Sequence, residues 1–244
     1  MYSLPPQEAD GIRERMREVR ARITEACITS GRPETDVSLM AVTKTVSPEK
    51  INIALQEGAD LIGENRVQEL CEKILEINAA KSQIHFIGHL QTNKIRDIIN
   101  MVSCVQSVDS LHLAGALSAA AVKAGINFPC LLEVNIGMEE SKSGFSPDGV
   151  LGAAGEIAAL PNLTLRGLMT VQPSEASRSG DDRYFKRMQE LYLSLREQSL
   201  PNTRIDTLSM GMSGDYETAV RCGATLVRIG QGIFGARAKK TGTV

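Results

Sequence analysis

A chain of 244 residues with 27 Lys and Arg against 29 Asp and Glu, a formal net charge of −2 and 42% apolar residues has the composition of an ordinary globular protein. The balanced charge, with no long run of one sign, argues against a nucleic-acid or anionic-membrane binder built on clustered cations, so the expected partner is a small molecule. No stretch approaches the roughly 18 uninterrupted apolar residues of a spanning helix, and the N-terminus has no apolar core. Neither a membrane span nor a signal peptide is therefore expected, and the expected compartment is the cytoplasm. Cys27, Cys71, Cys104, Cys130 and Cys222 are odd in number, far apart and never paired as C-x-x-C, so they read as small, partly buried hydrophobes rather than a disulfide framework or a zinc site.

From residue 6 to 29, Ile12, Met16, Val19, Ile23 and Cys27 recur every three or four residues, which predicts one amphipathic helix. Short apolar runs then alternate with helical stretches, near 38–43, 59–63, 84–88, 103–108, 129–136, 163–170, 206–210 and 225–230. Ser47-Pro48-Glu49 and Ser146-Pro147-Asp148 read as helix starts, with serine as cap, proline at the first helical position and an acid at the positive end of the dipole. Strands alternating with helices imply parallel βαβ units. Eight in a row, with continuous apolar runs, predict a sheet buried on both faces and closed on itself: an α/β fold, a single (β/α)8 TIM-type barrel with an extra N-terminal helix, spanning 1–244 as one domain. An open doubly wound sheet is the alternative if 59–63 or 206–210 is not a strand. The polar segment 172–183 reads as a long loop after the sixth strand.

In a barrel, functional groups stand at the C-terminal ends of the strands. Here those ends carry Thr43-Lys44-Thr45, Gly63-Glu64-Asn65-Arg66, Gly88-His89-Leu90-Gln91, Asn135 before Glu139 and Lys142, Ser209-Met210-Gly211-Met212-Ser213-Gly214-Asp215, and Arg228-Ile229-Gly230-Gln231-Gly232. An apolar run that stops on Lys44 directs an amine into a partly desolvated site, where a lowered pKa favours attack on a carbonyl. A solvated lysine at a strand end is the plainer reading of that residue alone. Gly211, Ser213 and Gly230 follow the last two strands, where barrels often seat a phosphate against a helix N-terminus. Gly230-Gln231-Gly232-Ile233-Phe234-Gly235 matches the dinucleotide fingerprint G-x-G-x-x-G, but too little chain follows for the helix, strand and acidic ribose partner that give it meaning. His85 and His89 are four apart across a strand and a glycine, a poor basis for a metal site. The acid pairs Glu139-Glu140 and Asp181-Asp182 read as solvated loop residues.

These blocks resemble the pyridoxal phosphate homeostasis protein family, single-domain relatives of the alanine racemase N-terminal barrel. The match runs through AVTKT (41–45), GENRVQE (63–69), HFIGHLQTNK (85–94), VQSVDS (105–110), VNIGMEESKSGF (134–145), RGLMTV (166–171), LSMGMSGDYETA (208–219) and VRIGQGIFGAR (227–237). The resemblance implies that Lys44 holds pyridoxal 5′-phosphate as an aldimine. It also implies that Ser209, Met212, Ser213 and Gly230 surround the phosphate, that Asn65 lies beside the cofactor and that Arg228 faces the pyridine nitrogen. Arg66 stands where many relatives carry an aromatic residue. The resemblance further implies a carrier or regulator of vitamin B6 and amino-acid pools with no catalytic residue and no metal, acting as a monomer or weak dimer, with apo-enzymes that use the cofactor as recipients. Two rivals differ in class. An amino-acid racemase needs a second proton-transfer group, with His89 and Tyr216 as candidates, and a Schiff-base aldolase uses Lys44 without a cofactor.

Overall fold

The computed structural model describes residues 4–236. In chain order its elements are α1 (Pro6–Thr29), β1 (Ser38–Val42), α2 (Pro48–Gln56), β2 (Leu61–Glu64), α3 (Val67–Lys73), β3 (Ile84–Phe86), α4 (Ile95–Ile98), β4 (Cys104–Val108), α5 (Leu111–Ala124), β5 (Phe128–Val134), α6 (Val150–Ala158), β6 (Leu163–Thr170), α7 (Ser174–Ser179), α8 (Arg183–Glu197), β7 (Thr203–Ser209), α9 (Tyr216–Arg221), β8 (Leu226–Ile229) and α10 (Gln231–Phe234). The eight strands pair in sequence order, all parallel, and β8 closes on β1 through the register Ser38↔Leu226 to Ala41↔Ile229. The closed barrel agrees with the fold expected from the alternating runs, and the open sheet is excluded.

The strands alternate between two cores. Residues such as Leu39, Ala41, Ile62, Phe86 and Val227 pack outward against the helices in one large cluster, whereas Cys104, Leu131 and Met169 form a small separate cluster. Successive strand residues face opposite sides, so Met40 and Val42 share the face opposite Leu39 and Ala41. In α1, Ile12, Met16, Val19, Ile23 and Cys27 are all at most 4% exposed, and the helix packs on α2, α9 and α10. Burying such side chains is worth about 1.5–3 kcal/mol each. Arg15 Nε donates to Ile233 O at 2.6 Å, and Arg32 donates to Val220 O at 2.7 Å and Ala224 O at 3.0 Å. The N-terminal helix and the segment that follows it thereby brace the elements around the eighth strand.

Several local expectations are corrected. Segment 172–183 is not one loop but contains α7 and the first residue of α8, because Ser174–Ser179 can close a helical turn that Gly180 ends at φ 72°. Ser47 makes no side-chain cap, and Ser146 caps a turn through Gly149 N at 3.1 Å, with α6 starting only at Val150. Cys71 is exposed, while the other four cysteines are buried.

Candidate functional site at the open end of the barrel

Lys44 sits at the second position of a tight turn that follows β1, closed by Val46 N donating to Thr43 O at 3.0 Å. Thr45 takes φ 62°, a left-handed conformation costly for a β-branched residue, so the turn must be held from outside. The holding group is Lys73 at the end of α3. Its ammonium donates to Thr43 O at 2.8 Å and Val46 O at 3.4 Å, and it pairs with Glu64 at 2.7 Å and Glu69 at 2.8 Å. Glu69 also accepts the Thr45 N–H, and Glu64 accepts from the Thr43 hydroxyl. Lys73 is 7% exposed and Glu64 fully buried, and burial pushes the Glu64 carboxyl up against the opposing pull of Lys73.

Lys44 is half-buried and lines a cavity of about 420 Å³ together with Val42, Lys50, Gly230, Gln231 and Phe234. The ends of β1 and β8 are thus brought together as expected from the strand-end reading. The cavity also contains the start of α10, where Gly230 O accepts from Ile233 N at 3.0 Å and Phe234 N at 2.9 Å. A second cavity of about 380 Å³ is lined by Ser213, Gly232, Tyr216 and Arg22. The loops after β7 and β8 are tied by Gly232 N donating to Ser213 Oγ at 3.1 Å. Asp215, the N-cap position of α9, accepts from Met212 N at 2.6 Å and from Gln172 Nε2 at 3.1 Å. Met212 is exposed.

Asn65 follows β2 with its backbone pressed against Gly88, where any Cβ would collide with the Asn65 carbonyl. Its side-chain oxygen Oδ1 is buried and has no hydrogen-bond partner, as is Oε1 of Gln172. Such orphaned acceptors are uncommon in folded proteins and call for a donor from a ligand or water.

Arg228 is 3% exposed and donates to Ser209 Oγ at 2.6 Å and Thr170 O at 2.7 Å. Burial pulls its guanidinium down to about 10, opposed by Glu133 and Asp215, so it remains a cation at neutral pH. Ser209 is fully buried, and its hydroxyl is committed to Arg228 and to Gln106 Oε1 at 2.7 Å. It therefore lies in the barrel interior beside Arg228.

The structure adds groups that the strand-end reading missed. Glu133 of β5 is pushed up to about 7, first by burial and then by Asp109, with Arg228 and His89 pulling the other way. An acid inside the apolar run PCLLEV was the available signal. Nothing in the sequence marked Lys73. His89 is exposed and stands 3.2 Å from Asp109, whereas His85 is buried with Nδ1 at 2.8 Å from Gln106 Nε2. Among the described residues no group of three ligands could hold a metal. Tyr216 is buried with Glu217, Arg22 and Glu18 as its electrostatic neighbours, on the α1 side. Glu139 is not simply solvated: it pairs with Lys142, whose Nζ also reaches Gln172 O at 3.5 Å. Asp181 pairs with Arg183 at 2.9 Å, at the start of α8.

The family profile described as alanine racemase, N-terminal domain, matches residues 12–238. The pyridoxal phosphate homeostasis protein of Haemophilus influenzae is 40% identical over 228 residues, covering 93% of this chain and 96% of the relative. A crystal structure of a protein from Bifidobacterium adolescentis superposes with a TM-score of 0.91 at 35% identity, covering 96% of this chain and 98% of that one. PipY of Synechococcus elongatus, solved with pyridoxal phosphate bound, superposes with a TM-score of 0.77 at 30% identity over 92% of this chain and all of PipY. A chain with this profile, this barrel and relatives matched along nearly their whole length belongs to the alanine racemase N-terminal domain family and, within it, to the pyridoxal phosphate homeostasis proteins.

Proposed function

We propose that this protein binds pyridoxal 5′-phosphate at Lys44 and acts as a carrier and regulator in vitamin B6 and amino-acid homeostasis, with apo-enzymes that use the cofactor as recipients. The observation that carries this reading is the shared cavity, which Lys44 lines together with Gly230 and Gln231 at the start of α10. When bound, the cofactor supplies an aldehyde for the amine and a phosphate dianion for the cradle. Met212, Ser213 and Gly230 hold the phosphate side through loops that are already tied together. Asn65 offers its unpartnered Oδ1 beside the ring. Arg228 addresses the ring nitrogen as a pure donor, and Ser209 contributes by holding Arg228.

A donor-only cation at that nitrogen favours its unprotonated form, which weakens the electron sink that carbanion chemistry requires. That supports holding and release over catalysis. The bound relative PipY supports the ligand. The protein is expected to work in the cytoplasm as one domain, as a monomer or weak dimer.

The test is the visible absorbance of the protein loaded with pyridoxal phosphate, before and after borohydride reduction, followed by peptide mapping. The label is expected on Lys44, and Lys44→Ala should lose both band and label with an unchanged far-ultraviolet circular dichroism spectrum. A colourless, unlabelled protein after loading overturns the ligand. A label that moves to Lys142 in wild-type protein overturns the residue.

A further inference from the structure

Beneath the open end, four buried polar side chains from four strands join into one chain. Arg228 of β8 donates to Ser209 Oγ of β7, and Ser209 donates to Gln106 Oε1 of β4. The amide nitrogen of Gln106 then meets Nδ1 of His85 on β3 at 2.8 Å. All four are at most 7% exposed, so none of these bonds is readily exchanged for one to bulk water.

The chemistry of the donors gives this chain one direction. Arginine has no acceptor, so the Ser209 oxygen must accept from it and spend its own proton on the next group. That next group must present an oxygen, which turns the Gln106 amide so that its NH2 faces His85. Nδ1 then accepts, and the imidazole must carry its single proton on Nε2. His85 also borders a cavity of about 500 Å³ at the opposite end of the barrel, among Ser38, Ser103, Asp206 and Arg166. A charged imidazole is disfavoured there: burial and then Arg166 pull its pKa down to about 4.

We propose that Ser209 and Gln106 are positioning residues for Arg228, forming with His85 a one-way hydrogen-bonded chain across the barrel that immobilises the guanidinium at the open end. Thr170 O takes a second guanidinium N–H at 2.7 Å, so two fixed acceptors define the plane of the group. With its orientation set before any ligand arrives, Arg228 aims its remaining N–H groups without further loss of side-chain freedom. His85 anchors the far end because its neutral form offers the acceptor that the Gln106 amide requires. The chain itself is a property of the protein alone. Its consequence for ligand binding rests on the reading above that Arg228 addresses the ring nitrogen of pyridoxal phosphate.

Two experiments separate these layers. In ligand-free protein labelled with 15N-histidine, two-bond nitrogen–proton correlations should show His85 with Nδ1 bare and Nε2 protonated at pH 7. In Gln106→Glu the carboxylate can only accept, so Nδ1 should become protonated and His85 should titrate at least about one unit higher. A proton on Nδ1 in the wild type, or an unchanged ring in Gln106→Glu, overturns the direction of the chain. Ser209→Ala, a smaller change, guards against a variant that does not fold.

The second experiment compares affinity for pyridoxal 5′-phosphate with affinity for its 1-deaza analogue, which has carbon in place of the ring nitrogen. Ser209→Ala should weaken pyridoxal phosphate binding about tenfold, as expected for a hydrogen bond to a charged group, and leave the analogue within about twofold. Equal losses for both ligands mean a general packing defect, and no loss for either means that Arg228 needs no holding. Both results overturn the positioning role. If the wild type does not distinguish the two ligands, the fault lies in the ring-nitrogen reading of Arg228, and the histidine spectra still decide the chain.

Discussion

Replacing Lys73 with methionine removes one ammonium from four acceptors at once: the carbonyls of Thr43 and Val46 and the carboxylates of Glu64 and Glu69. Glu69 keeps some exposure, but Glu64 has none, and its Oε2 already lacks a partner. Breaking a buried ion pair from one side costs about 3–5 kcal/mol, because the remaining charge is left uncompensated. For a urea slope of roughly 3 kcal/mol per molar, that shifts the unfolding midpoint down by about 1–2 M. The Glu64 carboxyl is already pushed up by burial, and loss of Lys73 removes an opposing influence, so its folded pKa rises further above the unfolded one. A raised folded pKa favours the native state at low pH and loses that advantage as pH rises through it, so the deficit should narrow from pH 8 to pH 5.5. The double variant Lys73→Met/Glu64→Gln removes the stranded charge and should recover at least about 2 kcal/mol. Urea titrations of ligand-free protein at both pH values measure all of this. A Lys73→Met protein within about 1 kcal/mol of wild type, or a double variant no better than the single, refutes the reasoning. The same variant should load pyridoxal phosphate more slowly, since the turn carrying Lys44 loses its two carbonyl ties.

Three further outcomes are expected. Ser213→Asp should weaken binding of pyridoxal 5′-phosphate on the order of 100-fold, from like charges a few ångströms apart, while pyridoxal binding changes little; equal losses measured by fluorescence titration would sink the anion-cradle assignment. With L-alanine in deuterated water, the loaded protein should exchange Cα–H and form D-alanine well below about one turnover per second; faster turnover would refute the carrier reading and direct attention to Glu133, the acid held near 7 beside Arg228. For His85 the folded pKa of about 4 lies below the unfolded 6.5, so the native state binds fewer protons between these values and loses about 3 kcal/mol as pH falls from 6.5 to 4. His85→Phe should flatten that part of the stability profile relative to wild type, and parallel profiles would contradict it.

The barrel was legible because its cause is local. Eight apolar runs long enough for strands, separated by helical stretches, leave few arrangements that bury both faces of a parallel sheet, and the spacing of Ile12, Met16, Val19, Ile23 and Cys27 already places α1 against the outside. Lys44 was legible for the same reason. The apolar run of β1 stops just before it, and the chain direction of a parallel barrel puts that strand end at the open end. Gly230 and Ser213 followed from their place after the last two strands.

What stayed hidden depends on partners far apart in sequence. Gln106 and Ser209 are separated by 103 residues and Arg228 and Thr170 by 58, so no periodicity relates them. Ser209 is a strand-end serine by sequence, and only barrel closure decides that its hydroxyl faces Arg228 in the interior. Lys73 reads as one more helix lysine, yet α3 lays its ammonium under the Lys44 turn beside two glutamates. The pKa values of Glu133 and His85 likewise come from burial inside a closed sheet. The sequence by itself determined the architecture and the strand ends that carry chemistry, because side-chain alternation and chain direction are local properties. The tertiary structure alone decided which polar groups face each other across the barrel, because hydrogen bonding and desolvation depend on neighbours that only closure brings within reach.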